Sequence, residues 1–172
     1  ATELGAKVVT ISGSKGYVYM ENGVTDEMLD YMLTIRASKD LGIEDFAKNF
    51  GLPFYAKQKP WGVKADIAMP CATQNEITMD EAQKLVANGV KYVIEGANMP
   101  TTNESVKFLQ ENGVNIAPAK AANAGGVAVS ALEMSQNSQR LSWTSEEVDA
   151  KLKNIMINIH DSAAKTAEEY GF

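Results

Sequence analysis

The chain has 172 residues, 45% hydrophobic and 22% charged, which suits one soluble globular domain with a sizeable buried core. Its formal charge is −6 and its 16 Lys and Arg are scattered; nucleic acid and acidic membrane find no basic stripe, and no apolar run approaches the ~20 residues of a membrane span. One cysteine, Cys71, and one histidine, His160, exclude a disulfide framework and leave no metal site to expect; without a signal-like N-terminus, a reducing cytoplasm is the default compartment.

In chain order, residues 1–4 followed by Gly5 read as a helix tail with its C′ glycine, so the chain is expected to begin inside an element that starts upstream. Residues 7–11 form a β-branched run closed by Ser12-Gly13-Ser14, and residues 16–20 are a further strand candidate, followed by the turn residues Glu21-Asn22-Gly23. A helix is predicted over Asp26–Ala37 with Met28, Leu29, Met32 and Leu33 on its buried side, and a shorter one over 43–50. Gly51-Leu52-Pro53 and Lys59-Pro60-Trp61-Gly62 read as loops. Three more short runs, 65–69, 91–94 and 114–117, lack polar alternation, as buried strands of a parallel sheet do.

Helices separate these runs. The pairs Thr78/Glu81, Thr101/Glu104 and Thr144/Glu147 carry the capping-box spacing, and Gly89 and Gly113 are placed to end the first two helices. In the last helix Val148, Leu152, Ile155, Met156 and Ile159 recur at helical spacing and read as a core stripe. No internal repeat, low-complexity tract or domain boundary is visible. Strand–helix alternation predicts an α/β, doubly wound, mostly parallel sheet with helices on both faces, and such sheets bind ligands at the carboxyl ends of their strands.

Four segments follow the four strands: Ser12-Gly13-Ser14-Lys15-Gly16, residues 70–76, residues 95–102 and residues 118–126. All are rich in small residues, amides and hydroxyls, which grip a sugar or a carboxamide without net charge. In any one segment ordinary loop chemistry accounts for this equally well; four on one edge point to a ligand. If a helix starts near Asn123, then Asn123, Val127 and Ser130 share one face, with Asn123 capping the helix or offering its amide to a ligand. Gly125 and Gly126 each weaken that helix by roughly 1 kcal/mol relative to alanine. Either a ligand approaches there, near the positive end of the helix dipole, or the helix packs tightly on a neighbour.

Pro70-Cys71-Ala72-Thr73-Gln74-Asn75-Glu76, Glu95-Gly96-Ala97-Asn98-Met99-Pro100-Thr101-Thr102 and Lys120-Ala121-Ala122-Asn123-Ala124-Gly125-Gly126-Val127 resemble the hexameric glutamate dehydrogenases, as do Lys59-Pro60-Trp61 and Glu133-Met134-Ser135-Gln136-Asn137-Ser138. The likeness runs from end to end. It implies that residues 1–172 are a partial, Rossmann-like NAD(P)-binding domain lacking its first strand and glycine-rich loop. It also implies an enzyme that converts L-glutamate to 2-oxoglutarate and ammonia with NAD or NADP, in a homo-hexameric parent. By the same resemblance Gly13 meets the adenine ribose, Thr73 and Gln74 lie against the cofactor and Asn98 contacts the nicotinamide ribose, with Ser12, Ser14, Cys71, Ala72, Gly96 and Ala97 also among the cofactor-binding residues. Asn123 lies between nicotinamide and substrate; Gly125, Val127 and Ser130 line the glutamate pocket, with Ser130 on the side-chain carboxylate.

The family's catalytic lysines, its substrate-binding domain and the helical segment after Phe172 have no counterpart in these residues, so no catalytic residue is assigned and the chain alone is expected to be inactive. A missing central strand should leave an unpaired sheet position that invites association. The choice of NAD or NADP stays open: no acid follows the first strand to hold a 2′-hydroxyl, and Lys15 is either a partner for a 2′-phosphate or a solvated turn lysine. Cys71 is either a buried inert thiol or part of the ligand edge, and His160 reads as a polar-face residue with no role. Two other readings are a leucine- or phenylalanine-type dehydrogenase and a non-catalytic nucleotide-binding module. Ser130 disfavours the first, because a hydroxyl suits a carboxylate better than a hydrocarbon.

Overall fold

The β-branched runs resolve into two separate three-stranded sheets in the computed structural model, which describes residues 1–117 and 119–171. The chain divides into two compact units: Ala1–Ala65 with Ala87–Gly89, and Asp66–Val86 with the chain from Val90 onward.

The first unit opens on a 3-10 turn, Thr2–Leu4, ended by Gly5 at φ 85° as the C′ glycine predicts. Strands β1 (Thr10–Gly13), β2 (Gly16–Tyr19) and β3 (Phe54–Ala56) pair antiparallel in that order. β1 starts later than the sequence suggests, and Ser12 and Gly13 pair with Tyr17 and Gly16 instead of forming a loop. Only Ser14 and Lys15 remain between the strands. Two residues permit a hairpin, whereas a parallel partner needs a crossover of about a dozen, so this pair has to be antiparallel. Gly16 is required beside the turn, because a Cβ there would lie 2.3 Å from the carbonyl oxygen of Tyr55. Tyr55, on the unanticipated strand β3, stacks on Tyr17 with ring centroids 4.7 Å apart.

Helices α1 (Asp26–Ala37) and α2 (Ile43–Asn49) cover this sheet's core, formed by Val18, Met20, Phe46 and Ala47. Thr25 caps α1 by accepting from the Met28 N–H. The inward stripe of α1 is Met28, Tyr31, Met32 and Ile35. Leu29 and Leu33, expected inside, are 39% and 66% exposed. Tyr31 displaces them because its ring meets Phe50 edge-on at 5.5 Å and Phe46 at 6.4 Å, aromatic contacts that leucine cannot make.

The second unit holds the parallel sheet β4 (Ile67–Ala68), β5 (Tyr92–Ile94) and β6 (Asn115–Ala117), in that order. Helices α3 (Met79–Ala87) and α4 (Asn103–Glu111) make the two crossovers. Gly89 and Gly113 end them at φ 75° and 77°. The Val90 N–H then donates to the Leu85 carbonyl and the Val114 N–H to the Leu109 carbonyl, seating both valines in the core as each strand begins. At the start of α3 the Glu81 carboxylate accepts from both the N–H and the hydroxyl of Thr78. At α4 the cap is Thr102, accepting from the Ser105 N–H, and not Thr101. Thr101 is held one residue earlier by a parallel bridge to Ile77, which buries it.

Three helices follow: the short α5 (Ala119–Ala122), α6 (Ala124–Gln139) and α7 (Ser145–Glu169). α7 begins with the predicted reciprocal Thr144/Glu147 capping box. Its stripe Val148, Leu152, Ile155, Met156 and Ile159 is half-buried, with α6 packed against α7. The α/β class is as expected, but the single mostly parallel sheet is replaced by one parallel and one antiparallel sheet. Among the described residues no helix is long and apolar enough to cross a membrane, and no group of three or more His, Cys, Asp or Glu is placed to hold a metal ion.

Candidate functional site

Because β4, β5 and β6 run the same way, their carboxyl ends share one edge of the sheet, the edge where open α/β sheets take ligands. The segments that leave this edge are bonded to one another. The Ala97 N–H donates to the Pro70 carbonyl (3.0 Å), the Asn75 N–H to Met99 (3.0 Å) and the Ile77 N–H to Pro100 (2.8 Å), while the Thr102 N–H returns a bond to Ile77 (3.1 Å). Asn75 and Met99 adopt left-handed backbone, φ 55° and 46°, a conformation that costs non-glycine residues energy and is held by these bonds. The third segment joins through Asn123, whose Nδ2 donates to the Ala97 carbonyl at 2.8 Å. Asn123 occupies the N-cap position of α6, yet its side chain caps nothing.

Burial sorts the predicted residues. Ala97 is buried, its N–H and C=O both spent on holding the segments together. Ala72, Thr73, Gln74 and Asn98 are exposed, and the last three make no side-chain hydrogen bond with a described residue. Cys71 is exposed as a residue, but its sulfur is tucked against Gly96, where a Cβ would sit 2.6 Å from Sγ. Burial of the sulfur, then the nearby Glu76 carboxylate, pushes the thiol pKa up, while the Gly96 N–H opposes them. The 71–76 loop is closed by the Ala72 N–H donating to Glu76 Oε2 at 3.2 Å.

On α6 the predicted face stands open. Val127 is 76% exposed and Ser130 is exposed, its Oγ donating to the Gly126 carbonyl at 3.2 Å. A Cβ on Gly125 would meet Met156 and Leu152 at 3.8 and 3.9 Å, ordinary contact, and a Cβ on Gly126 would meet nothing within 4 Å. Tight helix packing therefore requires neither glycine. Pro118, within the third segment, lies outside the described residues.

The expectation of four segments on one edge is corrected to three. Ser12 and Gly13 lie in β1, and Ser14 in the hairpin turn, of the antiparallel sheet. Beside that turn Lys15 Nζ sits 2.8 Å from Glu44 Oε2. A cleft of about 460 Å³ at the start of α4 is lined by Gln74, Asn75, Met99, Thr101, Thr102, Asn103 and Glu104, of which only Gln74 was expected at the site. Neither Asn98 nor Asn123 lines it, and only its connection to Gln74 ties it to the predicted set. Asn75 and Met99 stand inside the motifs already quoted; asparagine adopts left-handed backbone more readily than most residues, whereas nothing in residue type announces it at Met99. His160 is exposed beside Asp161, remote from any predicted site residue in sequence.

A family model described as Glutamate/Leucine/Phenylalanine/Valine dehydrogenase matches residues 1–172. The chain is 57% identical over 171 residues to an NAD-specific glutamate dehydrogenase of Clostridium symbiosum, covering 98% of this chain and 38% of that protein. It is 53% identical over 169 residues to an NADP-specific glutamate dehydrogenase of Escherichia coli K12, again 98% of this chain and 38% of the relative. A solved Plasmodium falciparum glutamate dehydrogenase superposes with a TM-score of 0.88 at 44% identity, over 99% of this chain and 37% of that one. The chain thus spans about 38% of the length of the relatives it matches.

Proposed function

Because the chain belongs to the glutamate/leucine/phenylalanine/valine dehydrogenase family, we propose that it is part of the Rossmann-like cofactor domain of a glutamate dehydrogenase. The whole protein would convert L-glutamate to 2-oxoglutarate and ammonia with NAD or NADP, as a cytoplasmic homo-hexamer. The observation that carries this reading is the set of three strand-end segments bonded along one edge of a parallel sheet, with Asn123 tied to Ala97. The parallel β–α–β–α–β order of the second unit supports the Rossmann-like part of it. β4 is an edge strand, with Ile67 and Met69 47% and 51% exposed, which suits pairing with a further strand of the same domain.

The residues fit a dinucleotide. Thr73, Gln74 and Asn98 offer one hydroxyl and two amides unspent on described residues, the neutral chemistry that ribose hydroxyls and a carboxamide require. Gly126 leaves bare backbone for close approach, with nothing within 4 Å of where its Cβ would be. Bound NAD or NADP supplies the hydride acceptor; the chain's part is to orient it against the substrate carbon and exclude water. In this reading Gly13, with Ser12 and Ser14 beside it, faces the adenine ribose, Cys71, Ala72, Thr73 and Gln74 lie against the cofactor with Gly96 and Ala97, Asn98 approaches the nicotinamide ribose, Asn123 lies between nicotinamide and substrate, and Gly125, Val127 and Ser130 form the substrate wall. Among these residues only Cys71 titrates, and its raised pKa keeps it a neutral thiol at physiological pH. None of these residues is assigned as the proton acceptor, and the isolated chain is expected to give no glutamate-dependent NAD(P)H; measurable production refutes this.

A leucine- or phenylalanine-type enzyme is the competing member of the family, and Ser130 decides between them. Its hydroxyl is exposed, and a rotation moves its proton from the Gly126 carbonyl to a substrate carboxylate. Ser130→Ala in the full-length enzyme should raise KM for glutamate tenfold or so, the value of one charge-assisted hydrogen bond, and change KM for monocarboxylic amino acids little. Equal effects on both would favour the hydrocarbon pocket.

A further inference from the structure

We propose that Glu44 tunes discrimination between NADP and NAD by competing with the 2′-phosphate for Lys15. The inference rests on the reading of Ser12, Gly13 and Ser14 as the adenine-ribose turn. A strand that ends at an NAD ribose commonly offers a carboxylate to the 2′-hydroxyl, whereas one that takes NADP offers a cation. The end of β1 and its turn are Ser12, Gly13, Ser14 and Lys15, with no acid among them. Lys15 is the turn's cation, and its Nζ already donates to Glu44 Oε2 at 2.8 Å.

Glu44 and Asp45 divide the first turn of α2 between two tasks. Asp45 Oδ2 accepts from the Gly42 N–H at 2.8 Å and so secures the start of the helix. Glu44 makes a different contact, the one to Lys15. Removing its charge therefore leaves the helix start in place and changes what Lys15 can do. The Lys15 and Glu44 side chains are 67% and 40% exposed, and ion pairs this wet are weak enough for a doubly charged phosphate to displace the carboxylate. While Glu44 is present, a 2′-phosphate must break that pair before it can reach the Lys15 ammonium, an obstacle that a 2′-hydroxyl does not meet. The carboxylate thus acts against NADP specifically, and it does so through Lys15.

The test is calorimetric titration of the full-length protein with 2′,5′-ADP and with 5′-AMP, which differ only in the 2′-phosphate. Glu44→Gln should tighten 2′,5′-ADP about two- to fivefold, the scale of an exposed ion pair, and leave 5′-AMP unchanged. Lys15→Met should weaken 2′,5′-ADP, and Glu44→Gln should then add nothing. The proposal is overturned if Glu44→Gln leaves the ratio of the two affinities unchanged, if it weakens 2′,5′-ADP (Glu44 then merely props Lys15 in place), or if the gain survives Lys15→Met. If neither nucleotide competes with NADH on the unmodified protein, the assignment of the turn to the adenine ribose fails first, a result that looks different from all of these.

Discussion

The side chain of Asn123 and the backbone of Ala97 are joined by a 2.8 Å hydrogen bond that ties the start of α6 to the segment leaving β5. The amide spends a donor on this bond, and its carbonyl oxygen accepts nothing from the described residues. Asn123→Ala should weaken NADH binding several-fold by releasing the two segments from each other, and Asn123→Asp should weaken it at least as much, because a carboxylate cannot donate to Ala97 and faces its carbonyl oxygen instead. Fluorescence titration of NADH onto the full-length protein measures both; unchanged affinity in Asn123→Asp would remove this bond from the binding machinery.

Gly126 lies in the first turn of α6 with open space where its side chain would be. Helix propensity alone then predicts that Gly126→Ala raises stability by about 0.5–1 kcal/mol. If the space is kept for a substrate, the same methyl should raise KM for glutamate while the melting temperature rises or holds. A variant that is more stable and equally active would show that the glycine serves no ligand.

Much of this was legible in the sequence, and the failures have physical causes. The capping Thr144, the terminal glycines Gly89 and Gly113 and the three runs that become β4, β5 and β6 are local signals, set by backbone geometry within a few residues. The segments after β4, β5 and β6 meet on one edge, as expected, because parallel strands bring their carboxyl ends together automatically. The residues around Ser12 failed because pairing partners are non-local: a β-branched run does not state whether its neighbour is parallel, although the two-residue spacing to Gly16 held the answer. β3 is three residues long and carries no periodicity to detect. Leu29 and Leu33 match the helical period as well as Tyr31 and Ile35 do, and only the aromatic partners Phe46 and Phe50 select between them. The boundary near Ala65 is not marked by a Pro- or Ser-rich linker, so composition could not reveal it.

Cys71 is exposed at the site edge, yet its sulfur rests against Gly96 and its pKa is raised by burial and then by Glu76. A raised thiol pKa means less thiolate at any pH below it, and the thiolate is the nucleophile. Alkylation at pH 7.5 should therefore be slower than that of free cysteine, should accelerate on going to a more alkaline pH than free cysteine requires, and should quicken in Glu76→Gln. NADH should slow it further by covering the edge. Rates matching free cysteine, with and without NADH, would place the thiol outside both influences.

Thr101 and Thr102 offer the sharpest test of local geometry, since residue type makes them interchangeable. The Thr102 Oγ1 accepts from the Ser105 N–H at 3.4 Å and lies 2.8 Å from the Ser105 hydroxyl, whereas Thr101 Oγ1 is buried with no partner among the described residues. Losing a capping threonine costs about 1 kcal/mol, so Thr102→Ala should lower the melting temperature measurably. Thr101→Val replaces an unpaired buried hydroxyl by a methyl of the same shape, which is neutral or stabilising because no desolvated oxygen remains. Thermal melts of the two variants side by side decide the matter. If Thr101→Val proves the more damaging, its hydroxyl must find a partner that the folded chain uses, and the cap of α4 moves back to Thr101.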